Sequence, residues 1–228
     1  MKIGRQSNVV HRDPRPIRTT TSTAVPTPRK RPLMTAQPFT ADNTAMLLID
    51  HQVGTMGWVG SISFGEMKAN ALALAKAAKA LDIPLVLTSS MEEYAQGPLL
   101  AELADIAPEE FAARIQRHGV VNAFDDEHFA AAVKATGRNN LIIAGVTNDV
   151  CTVFPTLTAL AQGHRVQVVA DAGGSPAKIA DDTAIHRMDK AGATITSTNQ
   201  LLAELAENWT TDRGSKIISI LMELLPQN

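Results

Sequence analysis

The spacing of hydrophobic and polar positions divides the chain into two unlike parts. Residues 1–40 show no apolar period and are rich in Arg, Thr and Pro, so they are expected to form a disordered extension. From residue 43 onward, short apolar runs alternate with stretches of helical spacing. "TAMLLID", "IPLVLTSS", "NNLIIAG", "RVQVVAD" and "ATITST" predict strands. "FGEMKANALALAKAAKALD" predicts a helix rich in strong helix formers. "DDEHFAAAVKATG", "DVCTVFPTLTALAQG" and "PAKIADDTAIHRMDKAG" predict helices closed by Gly137, Gly163 and Gly192. "NQLLAELAENW" and "RGSKIISILMELL" predict two more.

Most of these strands lack the polar alternation of a half-exposed sheet. Strands buried on both faces and separated by helices imply an α/β fold, with a central, mostly parallel sheet between two helical layers. Residues 41–228 are expected to form this three-layer αβα domain, with no repeat and no second domain.

Composition narrows the class further. A chain of 228 residues, 45% hydrophobic and 19% charged, can bury a proper core. It contains no apolar run of about 18 residues and no signal-like leader, so neither a membrane partner nor secretion is indicated. One cysteine forbids an internal disulfide and any multi-cysteine metal site, and fits a reducing, cytoplasmic setting. The net charge of −2 conceals an asymmetry: residues 1–33 carry eight basic side chains against Asp13 alone, so the rest of the chain is acidic. Three readings of the extension stay open: a solvated segment, a transit peptide, and a nucleic-acid arm. Five prolines between Pro14 and Pro32 oppose a targeting helix, and no aromatic residue supports specific nucleic-acid contact.

Ligands of parallel sheets bind beyond the carboxyl ends of the strands. That rule selects Asp50, the Ser89–Ser90 pair, Thr147 to Cys151, and Asp171. Arg117 precedes "GVVNAF", with Arg114 as a competitor nearby. With Asn148 or Asp149 as N-cap, Cys151 would lie in the first turn of a helix, whose dipole and free N–H groups favour a thiolate and can hold an oxyanion. A buried, inert cysteine is the competing reading. Asp50 could exchange a proton with the thiol; Arg117, always charged, could only stabilise. His51 and His118 flank these residues and could face the same place. No H-x-x-x-H, H-E-x-x-H, G-x-G-x-x-G or Walker spacing is present, so no metal or other cofactor is expected.

At "LLIDHQ", "RHGVVNAF" and "LIIAGVTNDVCTVFPTLTAL", and again at "VVADAGGS" and "HRMDKAGA", the chain resembles the isochorismatase-like cysteine hydrolase superfamily, in particular its YcaC-like branch. The resemblance spans roughly residues 40–210. It implies a Rossmann-like hydrolase fold and a catalytic triad of Asp50, Arg117 and Cys151. It further implies a cis peptide at Val146–Thr147 and an oxyanion hole made by the N–H groups of Thr147 and Cys151. Arginine rather than lysine as the basic member marks the YcaC-like branch. The metal-binding D-x-H pattern of nicotinamidases is missing between Asp50 and Arg117, and "NDVC" replaces a commoner threonine–glutamate pair.

The implied activity is metal-independent hydrolysis of a small-molecule amide or related carbonyl compound through a thioester, in a homo-oligomer that could reach an octamer. Asn122 and Phe154 are expected in the substrate pocket wall. The rival reading is a redox-sensitive oligomeric scaffold without turnover, joined through the apolar faces of the last two helices. A weaker one is a nucleic-acid contact made by the tail.

Overall fold

A computed structural model describes residues 38–225. The extension expected over residues 1–40 therefore lies, apart from its last three residues, outside the described part. Within those three, Phe39 is buried: its N–H is bonded to Glu204 at 3.1 Å, and the Arg165 guanidinium lies 5.0 Å from its ring centre.

Six strands build one sheet: β1 (Thr44–Ile49), β2 (Leu85–Ser90), β3 (Ile115–Arg117), β4 (Asn140–Gly145), β5 (Arg165–Val169) and β6 (Thr194–Thr196). They lie in the order β3-β2-β1-β4-β5-β6, and all pairs are parallel. The α/β expectation with a parallel sheet is met, and β3 is a strand that the apolar pattern did not reveal. Three residues with Gln116 and Arg117 among them carry no hydrophobic run; the strand exists because its backbone pairs with Thr88 to Ser90 of β2.

Side chains of the central strands alternate between the two faces although almost all are buried. Met46 and Leu48 of β1, with Ile142 and Ala144 of β4, join one apolar cluster; Ala45, Leu47 and Ile49, with Leu141 and Ile143, join the other. The first cluster packs under α2 (Phe64–Ala80), α8 (Thr198–Ala206) and α9 (Asp212–Leu224). The second packs under α5 (Glu127–Ala135), α6 (Val153–Ala161) and α7 (Lys178–Ala191). Helix α2 starts at Ser63, whose hydroxyl accepts the Glu66 N–H at 3.2 Å, and α5 starts at Asp126, which accepts from His128 and Phe129. Gly137, Gly163 and Gly192 all adopt positive φ after their helices, as expected. Three short helices, α1 (Val53–Gly57), α3 (Glu102–Ile106) and α4 (Pro108–Ala112), were not anticipated; each is too short to show a period.

The connection order places a switch point between β1 and β4, whose chains leave in opposite directions along the sheet. Above that crevice the sheet edge is open to a ligand. Among the described residues, no helix is long and apolar enough to cross a membrane.

Candidate active site

Asp50 follows β1 and turns out of the sheet in a left-handed conformation, φ 58°, which aspartate tolerates better than most residues. Its N–H bonds Thr88 O at 2.9 Å, and its own carbonyl accepts the Gln52 N–H at 2.7 Å. Arg117 ends β3, two strands away. Its side chain runs back beneath the surface: Nε donates to Thr88 Oγ1 at 3.1 Å, Nη1 to Val120 O at 2.6 Å, and Nη2 to Asp50 Oδ2. Both partners are 1% exposed. The ion pair uses one carboxylate oxygen and leaves Oδ1 buried without a hydrogen bond of ordinary geometry.

Cys151 arrives from the other side of the switch point. After β4 the chain needs Gly145, because a Cβ there would come within 2.9 Å of Thr152 Oγ1 and 3.1 Å of Ile49 O. The Val146–Thr147 peptide bond is cis, as the family resemblance implied. A five-residue π turn, Asn148–Thr152, then leads into α6. This corrects the expected cap: Thr147 precedes the π turn and Thr152 precedes α6, so neither Asn148 nor Asp149 is the capping position, and Cys151 lies in the π turn rather than in the first turn of α6. The reason is tertiary. Asn148 N–H is taken by Gly174 O at 2.7 Å and Asp149 N–H by Ser175 Oγ at 3.2 Å, while Val150 and Thr152 both bond Thr147 O. The Thr147 backbone bonds the Cys151 thiol.

Asp50, Arg117, Thr147 and Cys151 line one cavity of about 310 Å³, together with Gln52, Thr55, Trp58, Val120, Val121, Asp149 and Val150. Cys151 itself is only partly exposed. Burial pushes its thiol up, and the charge and hydrogen bond of Asp50 push it further; Arg117 and the Thr147 backbone pull less strongly the other way. Burial and Asp50 together outweigh what Arg117 and the Thr147 backbone contribute towards a thiolate. Burial also pushes the Asp50 carboxyl above the usual carboxylate range, against the pull of Arg117. Both shifts run the same way, towards the protonated forms.

Other anticipated residues are placed elsewhere. Asn122 is consumed locally: its Oδ1 accepts the Phe124 N–H, and its Nδ2 bonds Asp125 and Thr158. Phe154 packs on the cluster beneath α5–α7, under Arg187 at 5.5 Å. Neither lines the cavity, because adjacency in sequence to Arg117 or Cys151 does not survive the turns between them. His51 is fully buried, bonds Ala172 O through Nε2 at 2.8 Å, and is pushed down to about 4 by burial. His118 is exposed on the neighbouring surface. Arg114 holds Glu92 instead, Asp171 caps α8 by accepting from Thr198, and Ser89 bonds Glu92. Ser90 does line the cavity. Thr88, which fixes Arg117, was missed; it stands one residue before the serines that the strand-end rule selected. Among the described residues no cluster of three or more potential metal ligands occurs.

The Isochorismatase domain family model matches residues 44–200. The probable hydrolase YcaC of Escherichia coli is 41% identical over 171 residues, covering 75% of this chain and 81% of that protein. The structure of YcaC from Pseudomonas aeruginosa, with hexane-2,5-diol and covalent acrylamide, superposes with a TM-score of 0.80 at 41% identity, covering 84% of this chain and 93% of its own. The E. coli YcaC structure, described as an octameric hydrolase of unknown specificity, superposes with a TM-score of 0.76 at 39% identity, covering 82% and 89%.

Proposed function

From the premise that this chain belongs to the isochorismatase domain family, and is like YcaC in sequence and fold, we propose that it is a cysteine hydrolase of small amides or related carbonyl compounds that needs no metal. The observation that carries the reading is the buried Asp50–Arg117 pair with one carboxylate oxygen left over, set in the same cavity wall as the only thiol of the chain.

Asp50 takes the Cys151 proton as the sulfur attacks the carbonyl carbon, so no standing thiolate is required. The N–H groups of Thr147 and Cys151 hold the oxyanion. Collapse breaks the C–N bond, and Asp50 passes its proton to the leaving nitrogen. Water then attacks the thioester, Asp50 takes a proton from it, and the carboxylic acid leaves as the thiol re-forms. Arg117 stays protonated throughout and balances the carboxylate. The covalent acrylamide of the P. aeruginosa relative supports the reading, since acrylamide is both a primary amide and a thiol-reactive alkene.

Replacing Cys151 with Ala is expected to lower turnover on a panel of small amides by about 10⁴-fold or more, with folding retained. Equal rates in mutant and wild type would overturn the proposal.

A homo-oligomer is part of the same reading, since the E. coli relative is octameric. The apolar faces expected to join subunits divide: Leu201, Leu202 and Leu205 of α8 are spent on the core, whereas Ile218 and Met222 of α9 stay exposed. Light scattering of the purified chain measures the assembly.

A further inference from the structure

Two acidic residues, Asp50 and Asp149, line the cavity around Cys151, and only Asp50 has a counter-charge. Asp50 is paired with Arg117, whereas none of the ion pairs among the described residues includes Asp149. Arg187 shares the adjoining cavity with Asp149, but it lies over the Phe154 ring and makes no ion pair with it. Asp149 is held in place through its backbone, by Ser175 Oγ, and its Oδ1 is buried with no hydrogen-bond partner.

Thr55 of α1 has the same deficiency. It is 5% exposed and its Oγ1 has no partner, although a helical threonine commonly bonds a carbonyl one turn back. Orphaned buried polar atoms are uncommon and costly. Three of them, Asp50 Oδ1, Thr55 Oγ1 and Asp149 Oδ1, belong to residues lining this one cavity. The proposed chemistry uses the first; the other two have no role in it. Trp58, in the same wall and half exposed, adds an aromatic face of the kind that attracts cations.

We propose that Asp149 and Thr55 select the substrate, favouring a small amide that carries a protonated amine or further N–H donors and excluding carboxylate-bearing analogues. The inference rests on the hydrolase reading above, so its test includes a readout that needs no turnover.

With a single cysteine in the chain, alkylation read by intact mass reports on this cavity alone. Cationic 2-bromoethylamine, neutral iodoacetamide and anionic iodoacetate are compared, each normalised to the denatured chain. The native protein is expected to disfavour iodoacetate against 2-bromoethylamine by about tenfold. Asp149→Asn is expected to return that ratio to the denatured value, and Asp149→Glu to preserve it. In parallel, 4-aminobutanamide is expected to be hydrolysed with a higher kcat/KM than succinamate, and Thr55→Val to raise KM for the former more than it lowers kcat. A labelling ratio unmoved by Asp149→Asn overturns the selecting role, whatever the turnover. A ratio that shifts as expected, with no amide hydrolysed, supports a charge-selecting cavity and overturns the hydrolase reading.

Discussion

Arg114 precedes the three-residue strand β3 and Arg117 ends it, and each holds a carboxylate. Arg114 grips Glu92 with two bonds of 2.7 and 2.9 Å, at the surface, with side-chain exposures of 21% and 15%. Arg117 grips Asp50 inside the molecule, where exposure falls to 1% and 2%. Similar chemistry has opposite consequences. Glu92's carboxyl is held below its ordinary range, chiefly by the hydrogen bonds of Arg114. Asp50's is pushed above its range, because burial outweighs Arg117. An arginine–carboxylate pair near water is a modest surface clamp. The same pair out of water carries a raised carboxyl in the cavity that Cys151 also lines.

The largest test of this contrast removes each arginine. Arg117→Ala leaves Asp50 buried without its cation and is expected to cost about 3–5 kcal/mol in urea unfolding. Arg114→Ala is expected to cost about 0–1 kcal/mol, less at high salt. Equal losses would erase the distinction.

A second test uses pH, and the signs differ by group. Between the ordinary carboxylate range and Asp50's raised value, the folded chain keeps a proton that the unfolded chain releases, so that contribution falls as pH rises through the window. Glu92 contributes above its ordinary range and loses the contribution as pH falls through its lowered value. His51, next to Asp50 in the chain, adds a contribution of its own. Its ordinary 6.5 is pushed down to about 4, so the unfolded chain takes up its proton first as pH falls. Stability present above pH 6.5 is therefore expected to drop by about 3 kcal/mol on reaching pH 4, and His51→Asn to flatten that slope. Urea midpoints of both proteins across the range check it; parallel slopes would mean that His51 is not buried neutral.

The third test separates ionisation from catalysis. Asp50 is one of the forces that keep Cys151 protonated, so Asp50→Asn is expected to speed iodoacetamide labelling at pH 7 by about tenfold while abolishing amide turnover. Slower labelling would show that Asp50 does not hold the thiol back.

The smallest effect concerns Glu92. Glu92→Gln is expected to change unfolding free energy by under about 1 kcal/mol and to leave turnover alone, since Arg114 and Ser89 lie outside the cavity. A large loss of turnover would tie the surface clamp to the site.

Much of this protein is legible along the chain. Unbroken apolar runs such as "MLLI" and "LIIAG" demand burial on both faces, and that demand, repeated between helices, leads to a parallel sheet. That Asp50 and Cys151 would come to one cavity was legible for the same reason: Asp50 directly follows β1, Cys151 comes in the turn after β4, and neighbouring strand ends meet at one sheet edge. What tertiary structure alone decided is which polar residues lose their water. Arg117 and not Arg114 goes inside because β3 pairs with β2 in one register, three residues long and without an apolar signal. Asn122 turns away to cap its own loop, while Thr55, from a five-residue helix with no visible period, comes to line the cavity. Periodicity records how much apolar surface must be covered. The partners of a buried polar group come from distant segments, and only the packed chain brings them within hydrogen-bond range.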